Sequence, residues 1–333
     1  MGSNQGAFIA LNQTLSTNDY LVSNNNAFFA IMQGDGNLCV YRGSAPDANQ
    51  GFLWGALGQS QPNGNYFSIM QGDGNLCVYK GTGPSDNQGF VWGALNQSQP
   101  DRAYFAVLQD DGNLCVYKGT SPSDNQGGVW CSTAIDPVVD IEISSINYDV
   151  AAAKIIKSTP ADLYRQSVTN NTAQSQTSSI SGSESVSETS GWSDSLAVKV
   201  GVSTTFKTGI PFLAEGKISV SLDVTNTYTW NGSTTRTKTW SFNTPVTVPA
   251  NSTYVALIAA TVSTISVPYT LAGTLILKSG ARVPGIVRGM YTGSNSHDLT
   301  VTYIKQDATT LNIESITQPV EYAKLVAHHH HHH

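Results

Sequence analysis

This sequence contains few of the side chains that catalytic and metal-binding sites use most. Of its seven histidines, six form the terminal run His328 to His333, which we interpret as a purification tag. The remaining one, His297, lies in a Gly-Ser-Asn-Ser-His-Asp segment that is typical of a turn. A serine-histidine-aspartate triad would rest on this single side chain, and zinc sites need clustered cysteines and histidines. We therefore expect no catalytic residue, no metal and no cofactor, and predict that the protein is not an enzyme.

Charged residues and long apolar runs are also scarce. Only 12% of the residues are charged, and there is no basic cluster of the kind that binds nucleic acid. No run of about 18 apolar residues predicts a transmembrane helix, and no apolar signal-peptide core is visible near the start. We expect a soluble monomer or small oligomer. Abundant Gly, Ser and Thr, with few helix-forming residues, predict an all-β protein.

The four cysteines do not indicate a disulfide framework. Three of them, Cys39, Cys77 and Cys115, recur at a spacing of 38 residues. We expect them on different sides of the protein, too far apart to share one metal ion. For Cys131, which follows Trp130, the sequence leaves burial and pairing both open.

A nine-residue motif occurs three times with the same 38-residue period. The copies run from Gln33 to Tyr41, from Gln71 to Tyr79 and from Gln109 to Tyr117. Each is followed by a Gly/Pro/Ser-rich insert and then a tryptophan, at position 54, 92 or 130. A fixed period of this kind indicates repeated units that bury a core only together. If each motif is a strand, its Gln, Asp, Asn, Cys and Tyr share one face and its Leu and Val share the other.

The polar face of the motif favours carbohydrate binding. A carboxylate, two amides and a phenol supply donors and acceptors together, which suits vicinal hydroxyls that both donate and accept. Solvated strand residues or turn formers are the alternative, and three copies with the same polar residues weaken it. The pattern closely resembles the bulb-type (monocot) mannose-binding lectins, whose repeat is Gln-x-Asp-x-Asn-x-Val-x-Tyr on a three-sided β-prism. The resemblance covers roughly residues 8 to 134.

The resemblance implies three sites for mannose-type or related cell-surface glycans. Their residues are Gln33, Asp35, Asn37 and Tyr41; Gln71, Asp73, Asn75 and Tyr79; and Gln109, Asp111, Asn113 and Tyr117. Where the family has Val, this chain has Cys39, Cys77 and Cys115, which keeps an apolar contact but leaves the sugar preference open.

Residues 138–327 contain strands that alternate between apolar and Ser/Thr-rich faces. The apolar set is Leu196, Val198, Val200, Val202 and Phe206, and then Ile218, Val220, Leu222 and Val224. The segment between the two strands carries Ile210, Phe212 and Leu213, which we expect at the tip of the hairpin. Either a sandwich hairpin or a hairpin of a transmembrane barrel fits this pattern.

A resemblance favours the membrane alternative. The segment Phe206 to Ser221, with Trp230, Trp240 and Pro245 to Pro249, resembles the insertion module of the aerolysin-like β-pore-forming proteins. Members of that family bind a surface receptor, form a ring-shaped homo-oligomer and insert a shared β-barrel. The resemblance implies that the twelve apolar residues named above form the membrane-insertion hairpin. Eight of them are expected to meet the lipid of the target membrane: Leu196, Val198, Val200, Val202, Ile218, Val220, Leu222 and Val224.

The sequence therefore predicts two domains and a tag. These are a three-fold β-prism lectin at residues 1–137, an elongated aerolysin-like β-sheet domain at 138–327, and the histidine run at 328–333. The predicted function is a toxin or defence lectin that acts at the outer surface of target cells, with glycans, membrane lipid and itself as partners. The alternative is an agglutinin whose second domain is an oligomerising stalk and makes no pore.

Overall fold

The protein is almost entirely β-structure in the part of the chain that the computed structural model describes. That part comprises residues 2–194, 204–306, 313–319 and 326–331. It contains 24 strands and four short 3₁₀-helices, at Pro46–Ala48, Pro84–Asp86, Pro122–Asp124 and Val150–Ala152. Among these residues no helix has the length and apolar character needed to cross a membrane. The all-β prediction is confirmed.

The described residues form two compact units. One contains residues 2–146 and 270–288, and the other contains residues 147–194 and 204–269 with those from 289 onward. The predicted boundary between residues 137 and 138 stays a prediction.

Three four-stranded antiparallel sheets make up most of the first unit. Each repeat supplies three consecutive strands, and the N-terminal segment adds a fourth strand to each sheet. The first sheet has β3 (Tyr20–Val22), β4 (Phe28–Met32), β5 (Leu38–Arg42) and β6 (Gly51–Gly55). The second has β2 (Thr14–Leu15), β7 (Tyr66–Met70), β8 (Leu76–Gly81) and β9 (Asn87–Gly93). The third has β1 (Phe8–Ile9), β10 (Tyr104–Leu108), β11 (Leu114–Gly119) and β12 (Asn125–Cys131).

The three sheets meet through one tryptophan from each repeat. The ring centroids of Trp54, Trp92 and Trp130 are 5.7 to 5.8 Å apart in all three pairs, and each pair is edge-to-face. Leu38, Leu76 and Leu114 are buried at a shared centre. The arrangement is a three-sided β-prism, as the lectin resemblance implied, built from the three units that the 38-residue period predicted.

The long strands form an eight-stranded sheet. Its order is β13-β21-β22-β15-β20-β24, with β14 paired to β21 and β23 paired to β22. The bounds are β13 (Val138–Tyr148), β14 (Lys154–Asn170), β15 (Gln176–Asp194), β20 (Ser233–Val248), β21 (Ser252–Leu277), β22 (Arg282–Gln306), β23 (Ile313–Pro319) and β24 (Val326–His331). Two short pairs complete the fold, β16 (Thr205–Lys207) with β19 (Thr227–Thr229) and β17 (Pro211–Ala214) with β18 (Lys217–Val220).

Alternation along the long strands produces the core of the second unit. In β20, Trp240, Phe242, Val246 and Val248 are buried while the residues between them are more exposed. They pack with Ile180 of β15 and with apolar residues of β21 and β22. The indole Nε1 of Trp240 donates to Ser296 Oγ at 2.8 Å, which satisfies its polar atom inside the core.

The expectation that His297 lies in a turn is wrong. It lies inside β22, is buried, and its ring nitrogens contact Ser263 Oγ at 2.7 Å and Asp298 Oδ2 at 2.8 Å. These are the residue types of a catalytic triad, but Ser263 has no exposed surface and its hydroxyl also contacts Ser158. Because no substrate can reach that hydroxyl, the contacts serve to satisfy buried polar atoms.

One buried hydroxyl in the prism gives a stability prediction. Ser68 is fully buried and its Oγ has no hydrogen-bond partner, whereas the other two repeats have Ala30 and Ala106 at the same position. Ser68→Ala should raise the free energy of unfolding by about 1 kcal/mol, because it removes an unsatisfied polar group. Denaturant unfolding measures this. The control Ala106→Ser should lower stability, and a less stable Ser68→Ala variant would contradict the account.

Candidate functional site

The first polar motif is mainly a turn and only partly a strand. Gln33, Asp35 and Asn37 lie between β4 and β5, and the strand begins at Leu38. The backbone N–H of Gln33 donates to Asn37 O at 3.1 Å, and Gly36 has a φ of 80°, a left-handed conformation that favours glycine. The prediction of one alternating strand face is therefore wrong for the first half of the motif. Leu38 and Val40 are nevertheless buried as predicted.

The turn brings its polar side chains into one hydrogen-bonded group. Oδ1 of Asp35 accepts from the backbone N–H of Asn37 at 3.0 Å and from Gln33 Nε2 at 3.1 Å. Oδ2 of Asp35 accepts from Ser60 Oγ at 3.0 Å, and Tyr41 Oη donates to Gln33 Oε1 at 2.5 Å. Burial by itself raises the pKa of Asp35, but these hydrogen bonds outweigh it and hold the pKa below its ordinary value. Asp35 therefore stays ionised, an acceptor held in a fixed orientation.

The second repeat reproduces this group. Tyr79 Oη donates to Gln71 Oε1 at 2.6 Å, and Gln71 Nε2 donates to Asp73 Oδ1 at 3.3 Å. Asp73 also accepts from the backbone N–H of Asn75 at 3.1 Å and from Ser98 Oγ at 3.1 Å. Two sites with the same donors and acceptors thus lie on two different sheets.

The asparagine of each motif anchors the chain about twenty residues further on. Oδ1 of Asn37 accepts from Leu57 N at 2.9 Å, and Asn75 and Asn113 accept from Leu95 N and Thr133 N at 2.8 Å. The side-chain oxygen is thus engaged by the protein. Its Nδ2 is the group that can donate to a ligand.

Exposed phenylalanines beside the first two sites were missed by sequence reasoning. Phe52 is 56% exposed and Phe90 is 62% exposed, and each packs edge-on against the motif tyrosine, with centroids 5.8 and 5.9 Å apart. The available signal was a phenylalanine two residues before Trp54 and Trp92, at the end of an otherwise polar insert. Each ring adds an apolar surface next to the polar turn.

The third repeat departs from the other two. Tyr117 Oη lies 3.2 Å from Gln109 Oε1, and Asp111 accepts from the backbone N–H of Asn113 at 3.0 Å. The position of the exposed phenylalanine is Gly128. Cys115 forms a disulfide with Cys131, which answers the question that the sequence left open for Cys131: the two cysteines are register partners on β11 and β12. In the first two repeats the partner position holds Gly55 or Gly93.

The other two motif cysteines are free and fully enclosed. Cys39 and Cys77 are each 1% exposed, and burial raises the pKa of both thiols to about 11. They contribute to the core beneath the turns and do not present a surface to a ligand.

The segment expected to be an apolar hairpin tip forms a strand. β17 (Pro211–Ala214) pairs with β18, and the tip is Glu215-Gly216, with φ of 52° and 72°. The prediction that Ile210, Phe212 and Leu213 lie at the tip is therefore wrong. A two-residue turn with two positive φ values is favoured in hairpins. Here it determines where the chain reverses, although the alternation of apolar and polar residues predicted a longer hairpin. Leu213 is buried and Phe206 packs on Trp192 at 5.2 Å between centroids.

One asparagine side chain holds this hairpin against β22. Asn295 Oδ1 accepts from Leu213 N at 2.9 Å, and Asn295 Nδ2 donates to Leu213 O at 2.7 Å. Asp298 Oδ1 also accepts from Glu215 N at 3.1 Å. Behind the hairpin lies a cavity of about 280 Å³, lined in part by the buried Arg236 and the half-buried Lys238. The hairpin is docked by a few polar contacts around a poorly filled space.

The remaining predicted insertion residues differ in their surroundings. Ile218 and Val220 are partly buried in β18, whereas Leu222 and Val224 follow that strand and are 97% and 55% exposed. Leu196, Val198, Val200 and Val202 lie outside the described residues.

Comparison with known proteins places the second half of the chain in a class and a family. The long antiparallel strands with a small docked hairpin define an aerolysin-like β-protein. The chain belongs to the family of Clostridium epsilon toxin ETX and Bacillus mosquitocidal toxin MTX2, whose model matches residues 136–320, more than half of the chain.

Similar individual proteins come from several sources. Natterin-1 of Thalassophryne nattereri is 21% identical over 154 residues, which is 46% of this chain and 43% of that protein. The chain thus spans less than half of this relative's length. The crystal structure of lamprey immune protein covers 90% of this chain and 98% of its own, with 15% identity and a TM-score of 0.40. The Japanese Marasmius oreades lectin covers 40% of this chain and 97% of its own, with 25% identity and a TM-score of 0.30.

Alkylation of thiols tests the placement of the cysteines. In the native protein at pH 8, Cys39 and Cys77 should resist iodoacetamide, because both thiols are buried and protonated. Unfolding without reductant should expose two thiols, and unfolding with reductant should expose all four. Mass spectrometry counts the adducts. Four adducts without reductant would contradict the Cys115–Cys131 bond.

Proposed function

We propose that the protein is a glycan-guided pore former, acting as a toxin or defence lectin. The prism binds carbohydrate on the outer surface of a target cell, and the ETX/MTX2-type part oligomerises into a ring and inserts a β-barrel. Glycans, membrane lipid and other copies of the chain are its partners. We assign it no catalytic activity.

The hydrogen-bonded turns support the glycan half of the proposal. In the first two repeats, a tyrosine, glutamine and serine orient one carboxylate, beside an asparagine amide and an exposed phenylalanine. Vicinal sugar hydroxyls need both donors and acceptors in a fixed arrangement, while the carbon skeleton needs an apolar surface. This repeated constellation is the observation that carries the proposal.

Family membership and the docked hairpin support the pore half. A hairpin that is to leave the soluble fold must be held weakly enough to detach. The contacts of Asn295 and Asp298 with the β17–β18 hairpin are few, and Leu222 already faces solvent. An open barrel edge in lipid leaves backbone groups unsatisfied, so insertion follows ring closure. Capture by several weak sugar sites raises the local concentration needed for the ring.

Charge removal at the turns tests the glycan half. Combining Asp35→Asn, Asp73→Asn and Asp111→Asn should abolish binding to a glycan array, because each lost charged hydrogen bond costs roughly 1.5–3 kcal/mol at its site. Asparagine keeps an acceptor for the backbone of the turn, so the melting temperature should barely change. The parent should also lose affinity below about pH 3.9, as protonation discharges Asp35, whose folded pKa is lowered. Unchanged array binding by the triple variant would exclude these turns.

A charge on the apolar side of the hairpin tests insertion. Leu222→Arg should leave the soluble fold intact, because Leu222 is 97% exposed. In a pore the arginine would face lipid at a cost of about 2–4 kcal/mol in every protomer near the bilayer centre. Dye release from glycan-bearing vesicles should therefore stop while glycan binding persists. The matched control Thr225→Arg lies on the polar side and should still release dye.

The two variants also separate the proposal from its alternative. Parental dye release by Leu222→Arg would remove this hairpin from the pore. If the parent itself binds glycans and releases no dye, the agglutinin with an oligomerising stalk is the better description.

A further inference from the structure

The three sugar-motif repeats are not equivalent at two positions outside the motif. The first position is Phe52 in the first repeat, Phe90 in the second and Gly128 in the third. The second position is Gly55, Gly93 and Cys131 in the same order. Both positions lie on the third strand of each repeat, so the differences fall on the same side of each motif turn.

The phenylalanines make an apolar wall at the first two motif turns. Phe52 pairs with Tyr41 across the sheet, and Phe90 pairs with Tyr79. More than half of each phenylalanine is exposed. The face of an aromatic ring carries partial negative charge and attracts the weakly positive C–H groups of a ligand. A pyranose offers such C–H groups on one face and hydroxyls around its rim.

The glycines keep the space between that wall and the motif amide open. A Cβ added at Gly55 would lie 3.1 Å from Asn37 Nδ2 and 3.2 Å from the Phe52 ring. At Gly93 the corresponding distances are 2.9 Å to Asn75 Nδ2 and 3.3 Å to Phe90. Phenylalanine ring and asparagine amide thus flank the same small gap, and a side chain at the glycine would enter it.

In the third repeat this gap is filled and its wall is missing. Cys131 supplies the Cβ that glycine omits, and its sulfur is bonded to Cys115 on the neighbouring strand. A Cβ added at Gly128 would lie 3.9 Å from the nearest atom of the Tyr117 ring. The third motif keeps Gln, Asp, Asn and Tyr, but it has neither the ring nor the opening.

We propose that the chain is divalent for carbohydrate. A pyranose binds at the first repeat between Phe52 and the turn of Asp35 and Asn37, and another binds at the second repeat between Phe90 and the turn of Asp73 and Asn75. The third repeat binds none, and its disulfide stabilises the prism instead. This inference rests on the proposed glycan binding.

Titration calorimetry with an α-linked mannotriose tests the number of sites and the role of the rings. The parent should bind two molecules per chain. Phe52→Ala and Phe90→Ala should each weaken one site about tenfold, and the double variant should weaken both. Phe52→Tyr and Phe90→Tyr keep the ring and should bind like the parent. All four side-chain changes are at exposed positions, so the melting temperatures should match.

The three motif aspartates allow the repeats of one chain to be compared with each other. Asp35→Asn and Asp73→Asn should each remove one site, whereas Asp111→Asn should change neither the stoichiometry nor the affinity. Three molecules bound per chain, a loss of binding in Asp111→Asn, or parental affinity in the double phenylalanine variant would overturn divalency and leave glycan binding standing. If the parent does not bind the mannotriose, both the proposed recognition of mannose-type glycans and this inference fall.

Discussion

The mutual contact of Trp54, Trp92 and Trp130 is the interaction on which the prism depends. Each sheet has four short strands and one apolar face, and such a sheet is not stable alone in water. Closing three sheets on each other buries Leu38, Leu76 and Leu114 and covers part of each indole. The same closure leaves the polar turns on the outside of three different sheets. The proposed multivalent recognition therefore follows from the way the core is built.

A different constraint acts on the second part of the chain, because a segment proposed to enter lipid must first be stable in water. The β17–β18 hairpin buries Leu213, and the amide of Asn295 replaces the backbone partners that a neighbouring strand would supply. The space behind it contains cationic groups: the buried Arg236 stacks on Tyr228 and the half-buried Lys238 on Trp240, and partial burial lowers the pKa of Lys238. A hairpin docked over such a site gains less than one packed on an apolar core. This lowers the free-energy cost of the proposed release of the hairpin.

Periodic features of the fold were predictable from the sequence, and long-range contacts were not. The 38-residue period predicted three units with a shared core, the lectin resemblance predicted the prism, and the composition predicted an all-β chain. The motif was misread as a strand because the Asp35 side chain and the left-handed Gly36 make a turn within it. The Glu215-Gly216 pair is a local turn signal, but the sequence analysis followed the longer alternation of apolar and polar residues and placed the tip elsewhere. Nothing in the sequence near Asn295 or Cys131 identifies their partners, which lie 82 and 16 residues away.

The coupling between recognition and membrane permeabilisation is the central claim, and dye release from paired vesicle populations tests it most directly. One population carries mannose-type glycolipid, the other has the same lipids without sugar, and both receive the same protein concentration. The account predicts rapid release from the glycan-bearing vesicles alone, and suppression of that release by excess free mannotriose. Equal release from both populations, or release that free sugar does not suppress, would contradict it.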